Sequence, residues 1–173
     1  MATRISIGVL FGILVISAWV LGSGIQAGAE TLKGRSVMTE TKDEHISVND
    51  EPGHVLGVQI TEGLATFENG EIAKIKNHNI YDIIPGKVAQ AIIYTIWTFE
   101  DGSTVVTRTQ RLMVSDPDGK LSAKNTTELI KGSGRFLGIK GTGSATGKTF
   151  QRSEGEAMRS VNDFTWTYTL PTK

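Results

Sequence analysis

Cysteine is absent from the sequence, proline occurs four times and histidine three times, and the formal charges cancel. Without cysteine there is no disulfide framework, thiolate metal centre or thiol nucleophile, and no residue to carry a lipid at a processed amino terminus. Eighteen basic side chains against eighteen acidic ones give no reason to expect nucleic acid or an anionic membrane as a partner. His45, His54 and His78 lack the His-x-His and His-x-x-x-His spacings of metal sites. Each reads as a hydrogen-bonded rim or surface histidine, although His54, in step with Leu56, Val58 and Ile60, could point inward at a strand start. Glu44, His45, Asp50 and Glu51 amount to a weak cation site at most, so no metal and no cofactor is expected.

One long apolar run exists, ISIGVLFGILVISAWVL from Ile5 to Leu21, preceded by Arg4 and followed by Ala27-Gly28-Ala29 before Glu30. A basic start, an apolar stretch and small residues at −3 and −1 are the pattern of a secretory signal peptide spanning residues 1–29. The same run reaches the lower limit of a membrane span, so an uncleaved anchor is the alternative. No charged stop-transfer block follows it, which favours cleavage and a single domain over residues 30–173 with no stable membrane span. The expected location is the periplasm or the secreted fraction.

Beyond residue 30 the sequence has almost no helical period. Turn signals recur instead: NDEPG at 49–53, FENGE at 67–71, IPGK at 84–87, FEDGS at 99–103 and DPDGK at 116–120. Asn-Gly and Asp-Gly supply the positive φ angles of tight hairpins. The runs between them are of strand length and rich in Val, Ile, Thr and aromatics, the mark of an antiparallel sandwich or barrel. In SVNDFTWTYTL, Phe164, Trp166, Tyr168 and Leu170 fall on one face and Asp163, Thr165, Thr167 and Thr169 on the other. The run VAQAIIYTIWTF, from Val88 to Phe99, is apolar on both faces, as a central strand or a contact between subunits would be.

The segment GSGRFLGIKGTGSATGKT, residues 132–149, imitates a phosphate-binding loop. A Walker A motif would need glycine at position 142, where Thr142 stands, and a helix after Thr149, where no apolar helical period follows. Gly132, Gly134 and Gly138 also miss the dinucleotide spacing. Gly141, Gly143 and Gly147 share one strand face, and glycine there lets a sheet bend or another group approach closely. GSGRFLG reads as a tight turn plugging one end of a barrel, with Phe136 and Leu137 as apolar caps.

IKGSGRFLGIKGTGSATGKT resembles the glycine-rich segment of the allene oxide cyclase and dirigent barrel superfamily. FENGE followed by YTIWTFEDGSTVVTRTQ resembles bacterial members of the allene oxide cyclase-like group. The likeness runs from about Val55 to Thr149, and GSG stands where the family has GTG. It implies a closed, antiparallel, eight-stranded β-barrel with an apolar lumen, assembled as a homo-oligomer (trimer or dimer). It also implies binding of a small apolar molecule, with cofactor-free cyclase or isomerase activity in known members. The residues themselves leave open a non-catalytic lipocalin-like carrier or a structural envelope protein with a packed core, and they identify no catalytic set.

Strand alternation supplies Tyr94, Trp97, Arg108, Gln110, Trp166 and Tyr168 as candidates for the lumen lining. In STVVTRTQRLM, Arg108 and Gln110 share a face with Thr104, Val106 and Leu112, and Arg111 lies opposite with Thr107 and Thr109. One of these faces looks into the barrel, and an interior arginine must be paired, with Glu62, Glu68 and Glu100 as possible counter-ions. Asn125-Thr126-Thr127 is a glycosylation sequon that matters only in a eukaryotic secretory pathway.

Overall fold

The computed structural model describes residues 28–115, 121–150 and 156–172; residues 1–27, most of the segment read as a signal peptide, and the DPDGK segment lie outside them. Eight antiparallel strands close into a barrel in which each strand pairs with its neighbours in sequence and β1 with β8. They are β1 (Glu30–Ser47), β2 (Val55–Phe67), β3 (Ile72–Ile84), β4 (Val88–Phe99), β5 (Thr104–Ser115), β6 (Leu121–Gly132), β7 (Lys140–Phe150) and β8 (Arg159–Thr169). The hairpin chemistry works as the sequence implies: Gly70 and Gly102 take φ angles of +86° and +79° at the FENGE and FEDGS turns.

Closure is staggered. From Glu40, the chain of directly opposite partners runs through Thr61, Asn77, Thr95, Thr107, Leu129, Gly141 and Tyr168 and returns to β1 at Glu30, ten residues earlier. That stagger tilts the strands, and with eight of them the interior is just wide enough to be filled by side chains or to hold one small ligand.

The two halves of the interior differ: one is filled by side chains and the other keeps a cavity. At the end where β2 turns into β3, Phe67, Phe99, Trp97, Phe164, Trp166 and Tyr168 are all buried inside. Trp97 and Trp166 meet edge to face at 4.7 Å, Phe164 lies 5.0 Å from Trp97, and Phe67 stacks on Phe99 at 5.3 Å. A 3₁₀ turn, Gly134–Phe136, closes this end, and its Phe136 packs 4.8 Å from Phe99. The expected cap is therefore half right. Phe136 is the plug, but Leu137 is 71% exposed, because a single tight turn directs only one of two successive side chains inward. Arg135 instead covers the seam, its guanidinium 4.9 Å and 4.7 Å from the Phe99 and Phe136 ring centres, and pairs with Glu71 and Asp101.

The glycine face of β7 makes this packing possible. Gly141 lies opposite Tyr168 and Gly143 opposite Trp166. A β-carbon at Gly141 would fall 2.3 Å from the Thr167 carbonyl oxygen and 2.7 Å from the Tyr168 Cα. Backbone atoms cannot step aside, so the absence of a side chain is required. At Gly143 the nearest atoms would be side-chain carbons of Trp166 and Thr127, at 3.0 and 3.3 Å.

Gly141→Val should therefore destabilise the barrel by about 1–3 kcal/mol or more, the usual cost of overpacking. Gly143→Ala should cost visibly less, since the contacts it makes are with side chains that can shift. Urea unfolding followed by tryptophan fluorescence compares the two; equal losses would show that the β7 glycines matter for some reason other than room.

Candidate functional site

Past the aromatic layer the lumen changes character. The inward positions of β3 become Asn77 and Asn79, those of β5 become Thr107, Thr109 and Arg111, and β6 contributes Asn125 and Thr127. A cavity of about 90 Å³ lies here, with Trp97, Phe164 and Trp166 as its floor and walls that mix hydroxyl and amide groups with Met38, Ile75, Ile93 and Ala145. Trp97 Nε1 donates to Thr107 Oγ1 at 3.3 Å, and the Thr109 and Thr127 hydroxyls bond each other at 2.8 Å across β5 and β6.

Arg111 reaches into this space. Its Nε donates to Asn125 Oδ1 at 3.1 Å, and Asn125 Nδ2 in turn reaches the Ala145 carbonyl oxygen at 3.4 Å. Asn125 is thus engaged on the inside of the wall, a poor place for the glycan that its sequon would direct. Burial alone draws the Arg111 pKa down, and no carboxylate among the described residues offsets it. A cation taken out of water without a counter-ion costs several kcal/mol, so such a residue is rarely kept for packing.

On the far wall an amide ladder is only partly satisfied. Asn79 Nδ2 donates to Gln59 Oε1 at 2.8 Å, and Gln59 Nε2 donates to Glu40 Oε2 at 2.9 Å. The Oδ1 atoms of Asn77 and Asn79 are buried and accept no hydrogen bond from the described residues. Nearer the mouth Tyr81 lies over Gly57, where a β-carbon would strike its ring at 2.2 Å. The Tyr81 hydroxyl donates to Asp43 Oδ1 at 2.7 Å, and burial, aided by that carboxylate, raises its pKa to about 12.

The wall itself opens beside Arg111. Strands β6 and β7 are in register only from Leu129–Gly141 to Thr127–Gly143, whereas β7 and β8 stay paired from Lys140–Thr169 to Phe150–Arg159. Beyond Thr127 the Asn125 side chain, not a backbone ladder, spans from β6 to β7. A wider depression over the outer surface of β8 carries the Arg35–Asp163 pair, but that pair is bidentate at 2.7 and 3.1 Å and each charge satisfies the other.

Of the six residues that alternation offered, Trp97, Trp166 and Tyr168 face inward and are buried. Trp97 and Trp166 border the cavity, and Tyr168 lies deeper, its hydroxyl donating to Glu30 Oε2 at 2.8 Å. Tyr94, Arg108 and Gln110 stand on the outer face, Tyr94 opposite Arg108 and Arg108 opposite Glu128. The lining of β5 is the other set, Thr107, Thr109 and Arg111. Both faces of β5 carry threonine and arginine, so alternation by itself could not orient the strand. Of the counter-ions considered for an interior arginine, Glu62 is taken by Lys76 at 2.7 Å.

The open rim is held by His54, the one buried histidine among the described residues. Its Nδ1 lies 2.5 Å from Asp50 Oδ1 and its Nε2 lies 3.0 Å from Asp82 Oδ1, so the imidazole ties the β1–β2 turn to the end of β3. Asp50 is thereby engaged on His54 and Glu51 on Lys87, which leaves the acidic turn no free carboxylate pair for a cation. No group of three His, Asp or Glu residues arranged to hold a metal ion occurs among the described residues. No family model matches this chain, and no curated protein is similar to it.

The hydrogen bond that His54 donates to Asp50, reinforced by Asp82, raises the His54 pKa above its ordinary 6.5 against the opposing pull of burial. A pKa raised by folding means that the clamp stabilises the fold fully below pH 6.5 and fades as pH rises through the raised value. Melting temperatures of wild type and His54→Gln, measured from pH 5 to pH 9, should differ most at the acidic end and converge at the alkaline end. A constant difference would remove protonation from the account.

Proposed function

We propose that this barrel is an exported small-molecule-binding protein whose ligand occupies the polar half of the lumen. The observation that carries the reading is the half-filled interior. Aromatic side chains pack one half to closure, and the aromatic fill then stops at Trp97 and Trp166 to leave a cavity whose walls mix threonine and asparagine with Met38, Ile75 and Ile93. A barrel serving only as a packed structural element would continue the aromatic fill, because buried polar groups without partners oppose folding. A ligand would lay its apolar part on Trp97 and Phe164 and turn its polar part toward the mouth, in the usual manner of pockets with a few convergent polar groups.

The likeness of the glycine segment and of the FENGE and FEDGS hairpins to the allene oxide cyclase-like group supports the same reading. On that model the barrel would act by shaping and desolvating a reactive molecule for ring closure. Among the described residues the cavity lining includes no histidine and no carboxylate, so binding is better supported than proton-transfer catalysis. Export rests on the leader pattern. Assembly as a homo-oligomer is supported by an exposed apolar row on the outer wall, Val58, Ile80 and Ile92, directly opposite one another on β2, β3 and β4.

Native mass spectrometry of the protein purified from its host should show one small molecule retained per chain. That adduct should be lost in Thr109→Phe, which fills the cavity. Bare wild-type chains alone would count against a resident ligand. The same spectra should show a dimer or trimer that Ile80→Glu dissociates; a monomeric wild type would leave the outer row without this role.

A further inference from the structure

Resting on that reading, we infer that the lumen takes a small hydroxylated carboxylate, its carboxylate seated on Arg111 and its hydroxyl donated to Asn77. Two independent observations fix the polarity of the ligand. The first is the guanidinium of Arg111, which spends Nε on Asn125 and leaves its terminal N–H groups toward the cavity without a carboxylate among the described residues. Guanidinium presents a planar fork that matches a carboxylate in two parallel hydrogen bonds. The second is the orphaned Oδ1 of Asn77, a buried acceptor on the cavity wall that needs a donor. A carboxylate alone would leave that acceptor unsatisfied, and an alcohol alone would leave the cation unpaired.

Size sets the third limit. Asn77 is level with Thr107 across β4, and Arg111 stands four residues further along β5, so the two backbones lie about 16 Å apart and the side chains reaching inward narrow the gap. With a cavity of about 90 Å³, the part of the ligand held between them is a few heavy atoms long. The unzipped seam between β6 and β7 lies beside Arg111 and gives the anion a way in, past Asn125.

Lactate, propionate and 1,2-propanediol separate the two recognition elements when titrated calorimetrically in chloride-free buffer. Lactate should bind wild type most tightly, propionate less so for want of the hydroxyl, and the diol least. Arg111→Met should weaken lactate about ten- to a hundredfold, the range for losing hydrogen bonds to a charged group, and Arg111→Lys should restore part of it. Thermal melting of each variant establishes that it is folded. Diol binding equal to lactate, lactate binding unchanged in Arg111→Met, or no lactate binding to wild type overturns the inference. If a neutral molecule is nonetheless retained in native spectra and lost in Thr109→Phe, the lumen reading survives and only the anion fails. If lactate binds Thr109→Phe as well as wild type, the lumen reading falls with it.

Discussion

The contact on which the rest depends is that between the bare inner face of β7 and the aromatic inner face of β8. Gly141 has no side chain where the β8 backbone at Thr167 and Tyr168 comes close, and Gly143 has none beside the edge of the Trp166 indole. Large rings on one strand require small residues on the next, because the interior of an eight-stranded barrel has no spare width. Once Trp166 is placed, it fixes Trp97, which meets it edge to face, and Trp97 fixes the Thr107 hydroxyl beneath it. The aromatic layer then serves two purposes. It is the core that stabilises a domain without disulfides, and its upper surface is the floor of the cavity.

Filling one half so completely frees the other half from that duty. The polar residues of the open half would be a liability in a core whose stability depended on them, since each unsatisfied amide opposes folding. They are tolerated because Phe67, Phe99, Phe136 and their neighbours bury enough apolar surface elsewhere. The division also explains the two strand seams. β7 and β8 are zipped along their whole length where the core needs them, while β6 and β7 separate beside the cavity, where a continuous ladder would seal it.

Much of this was legible in the sequence, and what was not has identifiable causes. The period of two in SVNDFTWTYTL placed Phe164, Trp166 and Tyr168 on one face because Asp163 and the threonines between them leave no competing apolar face. The turn residues set the hairpins for the same local reason. On β5 the code is ambiguous: TVVTRTQRLM carries an arginine on each face, and the rule that arginine is seldom buried unpaired gives no preference between Arg108 and Arg111 when no counter-ion can be located. The inward asparagines of β3 were hidden by their neighbours, since KIKNHNIY looks solvated on both faces until the register with Thr95 and Ile93 turns Asn77 and Asn79 inside. What escaped was the polar half of the lumen, where the chain departs from the rule that interiors are apolar.

The two arginines nearest the barrel axis make the final point. Arg135 sits over the plugged end with every demand met: Glu71 and Asp101 balance its charge, and the Phe99 and Phe136 rings accept its face. It can be understood as packing and needs nothing from outside. Arg111 has the same chemistry in the opposite situation, drawn into the lumen with one asparagine oxygen as its partner and desolvation acting unopposed. A chain that can pair one arginine so fully has the carboxylates to pair the other, and places them elsewhere, Asp43 on Tyr81 and Glu62 on Lys76. The contrast is one of environment: a cation at the plugged end is fully paired, and one inside the lumen has an amide oxygen in place of a carboxylate among the described residues.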